Sequence, residues 1–163
     1  KTEVKGVYTN IQNLNELREK YLDLEKRLGK KIILGKMILS GIEWSLGVKN
    51  DSHFGPTVMI SLGGTLIDLL EEKLVLLAPF SSSEVEHKLK RLKSFKLLKG
   101  YRGSNELSVS KLCETASKLS FLAFDFKGLI QEIDINPIIV TEEQAIAVDN
   151  VFIPYRQRGS LQF

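Results

Sequence analysis

The chain has 163 residues, of which 43% are hydrophobic and 26% are charged, a composition typical of one ordinary globular domain. The single cysteine, Cys113, excludes an internal disulfide framework. The formal net charge of +3 is too small for a protein that coats nucleic acid. No apolar run reaches the roughly 18 residues that a membrane helix requires.

The N-terminal region carries the pattern of an amphipathic helix, with apolar residues at intervals of three and four. Asn13 is placed to cap this helix, Glu16 to complete a capping box, and Gly29 to end it. A helix is therefore predicted over residues 14–28. The short apolar run at residues 32–34 predicts a buried strand.

The middle of the chain is rich in β-forming residues. Residues 42–49 and 57–62 flank a stretch of turn formers, which predicts a hairpin. Residues 66–70 and 73–78 predict two more strands around a turn at Glu71 and Glu72.

The second half alternates between helix and strand patterns. Serines at 81–83 offer helix caps, and a second long helix is predicted over residues 109–123. Residues 128–140 and 145–149 then predict two strands, joined by a turn at residues 141–144.

Polar residues gather in the first of these two strands. Strand alternation places Glu132, Asp134 and Asn136 on one face. With residues 142–143 at the centre of the turn, Asp149 is predicted directly opposite Asn136, with their Cβ atoms about 5 Å apart.

The apolar positions predicted to share this face are Ile138, Val140, Ala145 and Ala147. They would place the polar cluster beside a core. Because Mg²⁺ prefers oxygen ligands, Asn136 and Asp149 form a sensible half of a magnesium site. The alternative is that both are ordinary polar residues at a strand end.

Three other features carry weaker signals. Gly63 and Gly64 follow a strand and either let a phosphate approach the backbone or form a simple turn. His53 and His87 have no nearby nucleophile, so no catalytic triad is predicted. The basic residues between 88 and 102 indicate either a solvated helix face or a patch for phosphorylated ligands or nucleic acid.

Five strings, in this order along the chain, together resemble one family. They are Lys1-Thr-Glu-Val-Lys-Gly-Val7, Gly41-x-Glu43-x-x-x-Gly47-Val48-x-x-Asp51-x-x-Phe54-Gly55-Pro56, Leu62-Gly63-Gly64, Leu97-Leu98-Lys99-Gly100-Tyr101-Arg102-Gly103, and Glu132-x-Asp134-x-Asn136-Pro137. The chain resembles the ATP-grasp domain of NDP-forming acyl-CoA synthetases, the β-subunit-like part of ADP-forming acetyl-CoA synthetases. This family is related to the β subunit of succinyl-CoA synthetase.

The resemblance implies an α/β (α+β) ATP-grasp fold that is incomplete at its N-terminus, with a nucleotide cleft between two lobes. Residues 1–153 would form the partial domain with a hinge near residues 36–38, and residues 154–163 a C-terminal tail. The implied reaction is acid + CoA + ATP ⇌ acyl-CoA + ADP + Pi, with Mg²⁺ or Mn²⁺. A phosphohistidine on a CoA-binding partner would carry the phosphoryl group.

The resemblance also implies roles for individual residues. These are Asn136 and Asp149 as metal ligands, Asp134 as the acidic residue that steadies the phosphohistidine, Lys36, Met37, Ile38 and Glu43 at the nucleotide, and Lys1 and Gly6 in the phosphate loop. The partner would be a separate subunit or part of a longer chain, in the cytoplasm, with no role for membrane or nucleic acid.

The chain departs from the family pattern in several places. The upstream lysine and histidine of the family are not present, so we expect this piece to be inactive alone. Lys5 replaces a usual glycine, and Asp68 and Ser108 stand where the family more often carries Glu and Asp. Two alternatives remain: a non-catalytic module that docks a CoA-binding partner, and a regulatory module such as part of a protein acetyltransferase fusion.

Overall fold

The computed structural model of the chain describes residues 6–29, 31–38, 40–64 and 72–155. They belong to two compact units, Lys1–Leu39 and Ser40–Phe163, which are described separately. Among the described residues, no helix is long and apolar enough to cross a membrane.

The first unit is built around helix α1, Leu14–Leu28. The side chain of Asn13 accepts a hydrogen bond from the Glu16 N–H at 2.9 Å, which satisfies one of the free donors at the helix start. Gly29 ends the helix with a φ of +92°, a conformation that glycine adopts without a steric penalty. The bounds and both end residues confirm the prediction.

The predicted strand at residues 32–34 is wrong. Residues 31–38 form no regular structure, and the Ile33 side chain is 97% exposed. A short apolar run becomes a strand only where a neighbouring strand can pair with it. The described part of the first unit contains no such strand.

The described strands of the second unit form an antiparallel sheet. Its strands are β1 (Ile42–Asp51), β2 (Gly55–Leu62), β3 (Lys73–Leu77), β4 (Ile130–Val140), β5 (Ala145–Ala147) and β6 (Asn150–Pro154). The order across the sheet is β3-β2-β1-β4-β5, and β6 also pairs with β4. Predicted residues 66–70 lie outside the described residues.

The predicted hairpin of β1 and β2 is confirmed, with longer strands and a tighter turn than expected. The carboxylate of Asp51 accepts the backbone N–H groups of Phe54 and His53 at 2.9 and 2.8 Å. These two hydrogen bonds lower the pKa of Asp51 and close the turn at residues 52–54.

The described residues of the second unit include three helices: α2 (Ser82–Leu89), α3 (Phe95–Leu98) and α4 (Val109–Asp125). Helix α2 is capped by Ser81, as predicted, and α4 runs two residues beyond the predicted 109–123. Helix α4 contacts β1, β2 and β4. Its buried apolar face is formed by Val109, Leu112, Cys113, Ala116, Leu119 and Ala123.

The sheet and α4 enclose the core. Three even-numbered residues of β1, Trp44, Leu46 and Val48, are buried in it. The buried Ser120 side chain of α4 ties the chain after β3 to this core, because its Oγ accepts the Phe80 N–H at 3.1 Å. The same hydroxyl donates to the Ser117 carbonyl at 2.7 Å.

The predicted register of the last hairpin is confirmed. Ile138 pairs with Ala147 in β5, and Ile135 pairs with Asn150 in β6. The same register therefore continues through both strands.

For the residues after Asn136, the prediction of which side chains share a face of the sheet is wrong. The register of β4 on β1 shifts between Trp44 and Leu46, so that residues 136–137 of β4 stand opposite a single residue of β1. Such a bulge inverts the alternation of side chains along the strand. Ile135 and Ile138 consequently both pack toward the core.

The four apolar residues predicted beside Asn136 are therefore on the opposite face from it. They are Ile138, Val140, Ala145 and Ala147.

Strand β6 was not predicted. The expected strand over residues 145–149 ends at Ala147, and β6 begins three residues later. Pro154, expected to begin the tail, is the last residue of β6, and the Tyr155 N–H donates to the Leu129 carbonyl at 2.9 Å. Residues 156–163 lie outside the described residues.

Candidate active site

One face of the sheet is not covered by α4. Residues that pair directly across antiparallel strands project to the same face. Asp134 pairs with Gly47 on one side and Val151 on the other. Gly47 alternates along β1 with the buried Leu46 and Val48, so this face points away from the core. We call the face that contains Val151, Asp134, Gly47, Met59 and Val75 the open face.

Asp134 occupies an accessible position on the open face. Its side chain is half-buried. The residue that pairs with it on β1 is Gly47, which has no side chain. A Cβ atom added to Gly47 would lie 3.5 Å from the Met59 methyl group, an ordinary packing distance, so the Met59 side chain lies close to Gly47. The partial exposure of Asp134 allows another group to approach its carboxylate from solvent.

Glu43 lies on the same face, four residues along β1 from Gly47. Strand geometry puts the two positions about 13 Å apart. The Glu43 side chain is exposed, and no ion pair or side-chain hydrogen bond holds its carboxylate within the described ranges. Its backbone carbonyl accepts the Gly63 N–H at 2.7 Å.

Asn136 and Asp149 are brought together as predicted. The Asn136 N–H donates to the Asp149 carbonyl at 3.1 Å, and both side chains are exposed. The Asp149 carboxylate also accepts the Asn150 N–H at 2.9 Å. The described part of the chain contains no group of three or more His, Cys, Asp or Glu residues able to hold a metal ion.

The remaining predicted site residues lie in the first unit or outside the described residues. Gly6 begins the described part of the chain, and Lys1 precedes it. Lys36, Met37 and Ile38 form no regular structure, and the unit boundary follows Leu39.

The described residues do not support three other functional groups: a cysteine nucleophile, a catalytic histidine and a basic patch for nucleic acid. Burial raises the pKa of the Cys113 thiol to about 12, which keeps it protonated and unreactive. The polar contacts of the exposed His53 are with its neighbours Ser52 and Asp51. In the basic segment, ion pairs join Lys88 to Glu84, Lys90 to Glu86 and Lys99 to Glu106. The first two are i, i+4 pairs at α2, which are typical of a solvated helix face.

Sequence reasoning missed two glycines of the site. From the sequence, Gly64 is predicted only to form a turn or to contact a phosphate, whereas the structure places it against the Glu43 side chain. Gly47 belongs to a family motif, but the motif does not show that it pairs with Asp134. The only available signal was the pairing register, which requires the tertiary structure.

Residues 1–153 match the family described as ATP-grasp domain. The chain belongs to this family. The α/β fold with its antiparallel sheet agrees with that of solved members, which confirms the predicted fold class. The chain corresponds to the β-subunit or ATP-grasp part of ADP-forming acetyl-CoA synthetases.

Two relatives are similar over most of the chain. Acetate–CoA ligase [ADP-forming] I subunit beta from Pyrococcus furiosus is 31% identical over 157 residues, covering 91% of this chain and 67% of the relative. 4-Hydroxybutyrate–CoA ligase [ADP-forming] from Nitrosopumilus maritimus is 32% identical over 151 residues, covering 88% of this chain. The matched part is only 22% of that longer relative.

A solved structure with a TM-score of 0.83 is 27% identical and covers 94% of this chain and 70% of its own. It is the dinucleotide-forming acetyl-coenzyme A synthetase 1 of Ca. Korarchaeum cryptofilum. That protein was solved with coenzyme A and Mg-AMPPCP, its phosphohistidine segment pointing towards the nucleotide binding site. Another structure of the same enzyme holds Ca-AMPCP.

Proposed function

We propose that this chain is the nucleotide-binding part of an ADP-forming acyl-CoA synthetase. It would transfer a phosphoryl group between ATP or ADP and a phosphohistidine on a CoA-binding partner. The overall reaction would be acid + CoA + ATP ⇌ acyl-CoA + ADP + Pi. The proposal is carried by the accessible carboxylate of Asp134 on the open face, in a chain that belongs to this family.

Asp134 would orient the histidine of the partner. A carboxylate that accepts the N–H of one imidazole nitrogen leaves the other nitrogen unprotonated and aimed at the phosphoryl group. The P–O bond to ADP then breaks as the N–P bond to histidine forms, and the reverse step regenerates ATP. The partial exposure of Asp134, which pairs with a glycine on β1, would leave the incoming histidine access to the carboxylate.

Asn136 and Asp149 would hold the divalent cation. Their oxygens are the donors that Mg²⁺ or Mn²⁺ accepts, and two protein ligands suit an ion whose other positions are taken by water and phosphate. When bound, the ion neutralises charge on the phosphate oxygens. The exposure of both side chains leaves that space available.

The nucleoside end would contact Glu43, and residues 36–38 would meet the base through backbone groups. Lys1 and Gly6 belong to the segment that would cover the phosphates. Phosphoryl transfer depends mainly on position and charge neutralisation, which these groups supply.

The partner would be a CoA-binding subunit or domain that carries the histidine. One relative is named a β subunit, whereas another is a single chain more than four times the length of the match. Both arrangements, a hetero-oligomer and a longer chain, are compatible with the open face.

The test is a calorimetric titration of Mg²⁺·ATP into the full-length protein that contains this chain, followed by labelling of the partner with [γ-³²P]ATP. Saturable binding, and label on a partner histidine, would support the proposal. A full-length protein that binds no nucleotide would contradict it and leave a non-catalytic docking module as the better account.

A further inference from the structure

We propose that Gly64 is a positioning residue for Glu43: its missing side chain reserves the space in which the Glu43 carboxylate lies, ready to accept a hydrogen bond from the bound nucleotide. This inference rests on the proposed function, in which Glu43 contacts the nucleotide.

Backbone pairing places Gly64 beside Glu43. The hydrogen bond from the Gly63 N–H to the Glu43 carbonyl, at 2.7 Å, extends the β1–β2 ladder past the pair of Trp44 and Leu62. Gly64 follows with a φ of +61°. A Cβ atom on Gly64 would overlap Oε2 of Glu43 and lie 3.2 Å from its Cδ.

The two adjacent glycines serve different purposes. A Cβ atom on Gly63 would lie 3.0 Å from the backbone C and O atoms of Trp44, which the sheet holds in place. The atoms nearest to a Cβ atom on Gly64 would all belong to the side chain of Glu43. That side chain can rotate away, so a substitution at Gly64 displaces the carboxylate while the sheet keeps its pairing.

Gly64 can affect the position of the Glu43 carboxylate because no other described group fixes that position. Glu43 is exposed and has no ion pair or side-chain hydrogen bond with the described residues. An exposed glutamate without a partner samples several rotamers, and binding must select one of them. The space beside Gly64 keeps the observed rotamer available.

The same contact decides which end of a nucleotide belongs here. A carboxylate accepts hydrogen bonds and repels anions, and the donors of a nucleotide are the O–H and N–H groups of its sugar and base. The Glu43 carboxylate lies against Gly64, where a phosphate would otherwise approach the backbone. We therefore place the nucleoside part, and not the phosphates, at this glycine.

The experiment is a double-mutant cycle in the full-length protein, with Mg²⁺·ATP affinity measured by calorimetry. Its variants are Glu43→Ala, Gly64→Ala and the combination of both. A hydrogen bond to a charged group predicts that Glu43→Ala raises Kd about tenfold or more. Gly64→Ala should raise Kd severalfold in the parent protein and leave it unchanged when Glu43 is already alanine.

Gly55→Ala is the matched control. Gly55 also has a positive φ, +80°, but a Cβ atom there would meet nothing within 4 Å. It should impose similar backbone strain and leave the nucleotide Kd unchanged. If Gly64→Ala does not fold, Gly64→Asn replaces it, because asparagine tolerates positive φ and still carries a Cβ atom.

The possible failures are distinguishable. An equal rise in Kd from Gly64→Ala with and without Glu43 would overturn the inference and leave the nucleotide site intact. A Glu43→Ala variant with parental affinity would overturn both the inference and the role of Glu43. A parent protein without nucleotide affinity would overturn the proposed function itself, and the inference with it.

Discussion

Asp134 of β4 lies directly opposite Gly47 of β1, on the face of the sheet that α4 does not cover. The half-buried carboxylate thus borders a position without a side chain, and the Met59 methyl group lies close to that position. A partly exposed carboxylate can accept a hydrogen bond from a group that approaches from solvent.

Asp134→Ala should leave ATP affinity within about twofold and abolish phosphorylation of the partner histidine. The reason is that the carboxylate would act on the histidine and not on the nucleotide. Calorimetry and transfer of label from [γ-³²P]ATP measure the two effects separately. Glu132→Gln, on the same face two residues away and opposite Lys49, is the control and should retain labelling. Normal labelling in Asp134→Ala would refute the assigned role.

Asn136→Ala and Asp149→Asn should each reduce Mg²⁺-dependent nucleotide turnover by at least tenfold. Loss of one ligand, or of the negative charge, weakens the hold on the cation. Both side chains are exposed, so thermal stability should change little. Asparagine at 149 keeps an oxygen that can accept the Asn150 N–H, which separates loss of charge from loss of this turn. Turnover equal to the parent in both variants would remove the metal assignment.

In the first unit, the hydrogen bonds that the Asp23 carboxylate accepts should be lost in acid. It accepts hydrogen bonds from Arg27 and from the Tyr8 hydroxyl, at 2.7 Å for the latter, and these lower its pKa to about 2. Because the folded pKa lies below the ordinary value of about 3.9, the contact stabilises the unit above that pH and is lost as the pH falls toward 2.

The Tyr8 ring resonances, followed by NMR, should therefore shift between about pH 4 and pH 2. Asp23→Asn should weaken the contact at neutral pH because it removes the charge that attracts Arg27. Glu19→Gln, which changes an exposed pair with Lys20 on the same helix, should preserve the acid transition. If the Tyr8 ring resonances of Asp23→Asn shifted with acid as in the parent protein, the Asp23 carboxylate would not be the group that holds Tyr8.

Ser120→Ala should lower the free energy of unfolding by about 1–3 kcal/mol. The substitution leaves the Phe80 N–H without its partner inside the core. The only tryptophan, Trp44, is fully buried, so its fluorescence reports urea unfolding. Ser117→Ala removes a half-buried hydroxyl that donates to the Phe80 carbonyl at 2.8 Å, and should cost less. Equal costs for both variants would contradict the special role of the buried hydroxyl.

Local signals in the sequence predicted the two long helices and the register of the last hairpin, but not helix α3. Helix α1 begins and ends where Asn13 and Gly29 predict, because a cap and a left-handed stop act within a few residues. The turn after β4 likewise fixes Asn136 opposite Asp149, because pairing propagates from the turn. These features depend on neighbours along the chain, so the sequence is sufficient to predict them.

The faces of β4 and the neighbours of Glu43 were decided only by the tertiary structure. The bulge at residues 136–137 arises where β4 pairs with β1, a strand more than eighty residues earlier, and alternation counted along one strand cannot reveal it. The contact of Gly64 with the Glu43 carboxylate likewise depends on a ladder between two strands. The sequence thus determined the family and its candidate carboxylates, whereas cross-strand packing decided which of them share a face and which glycines leave room for them.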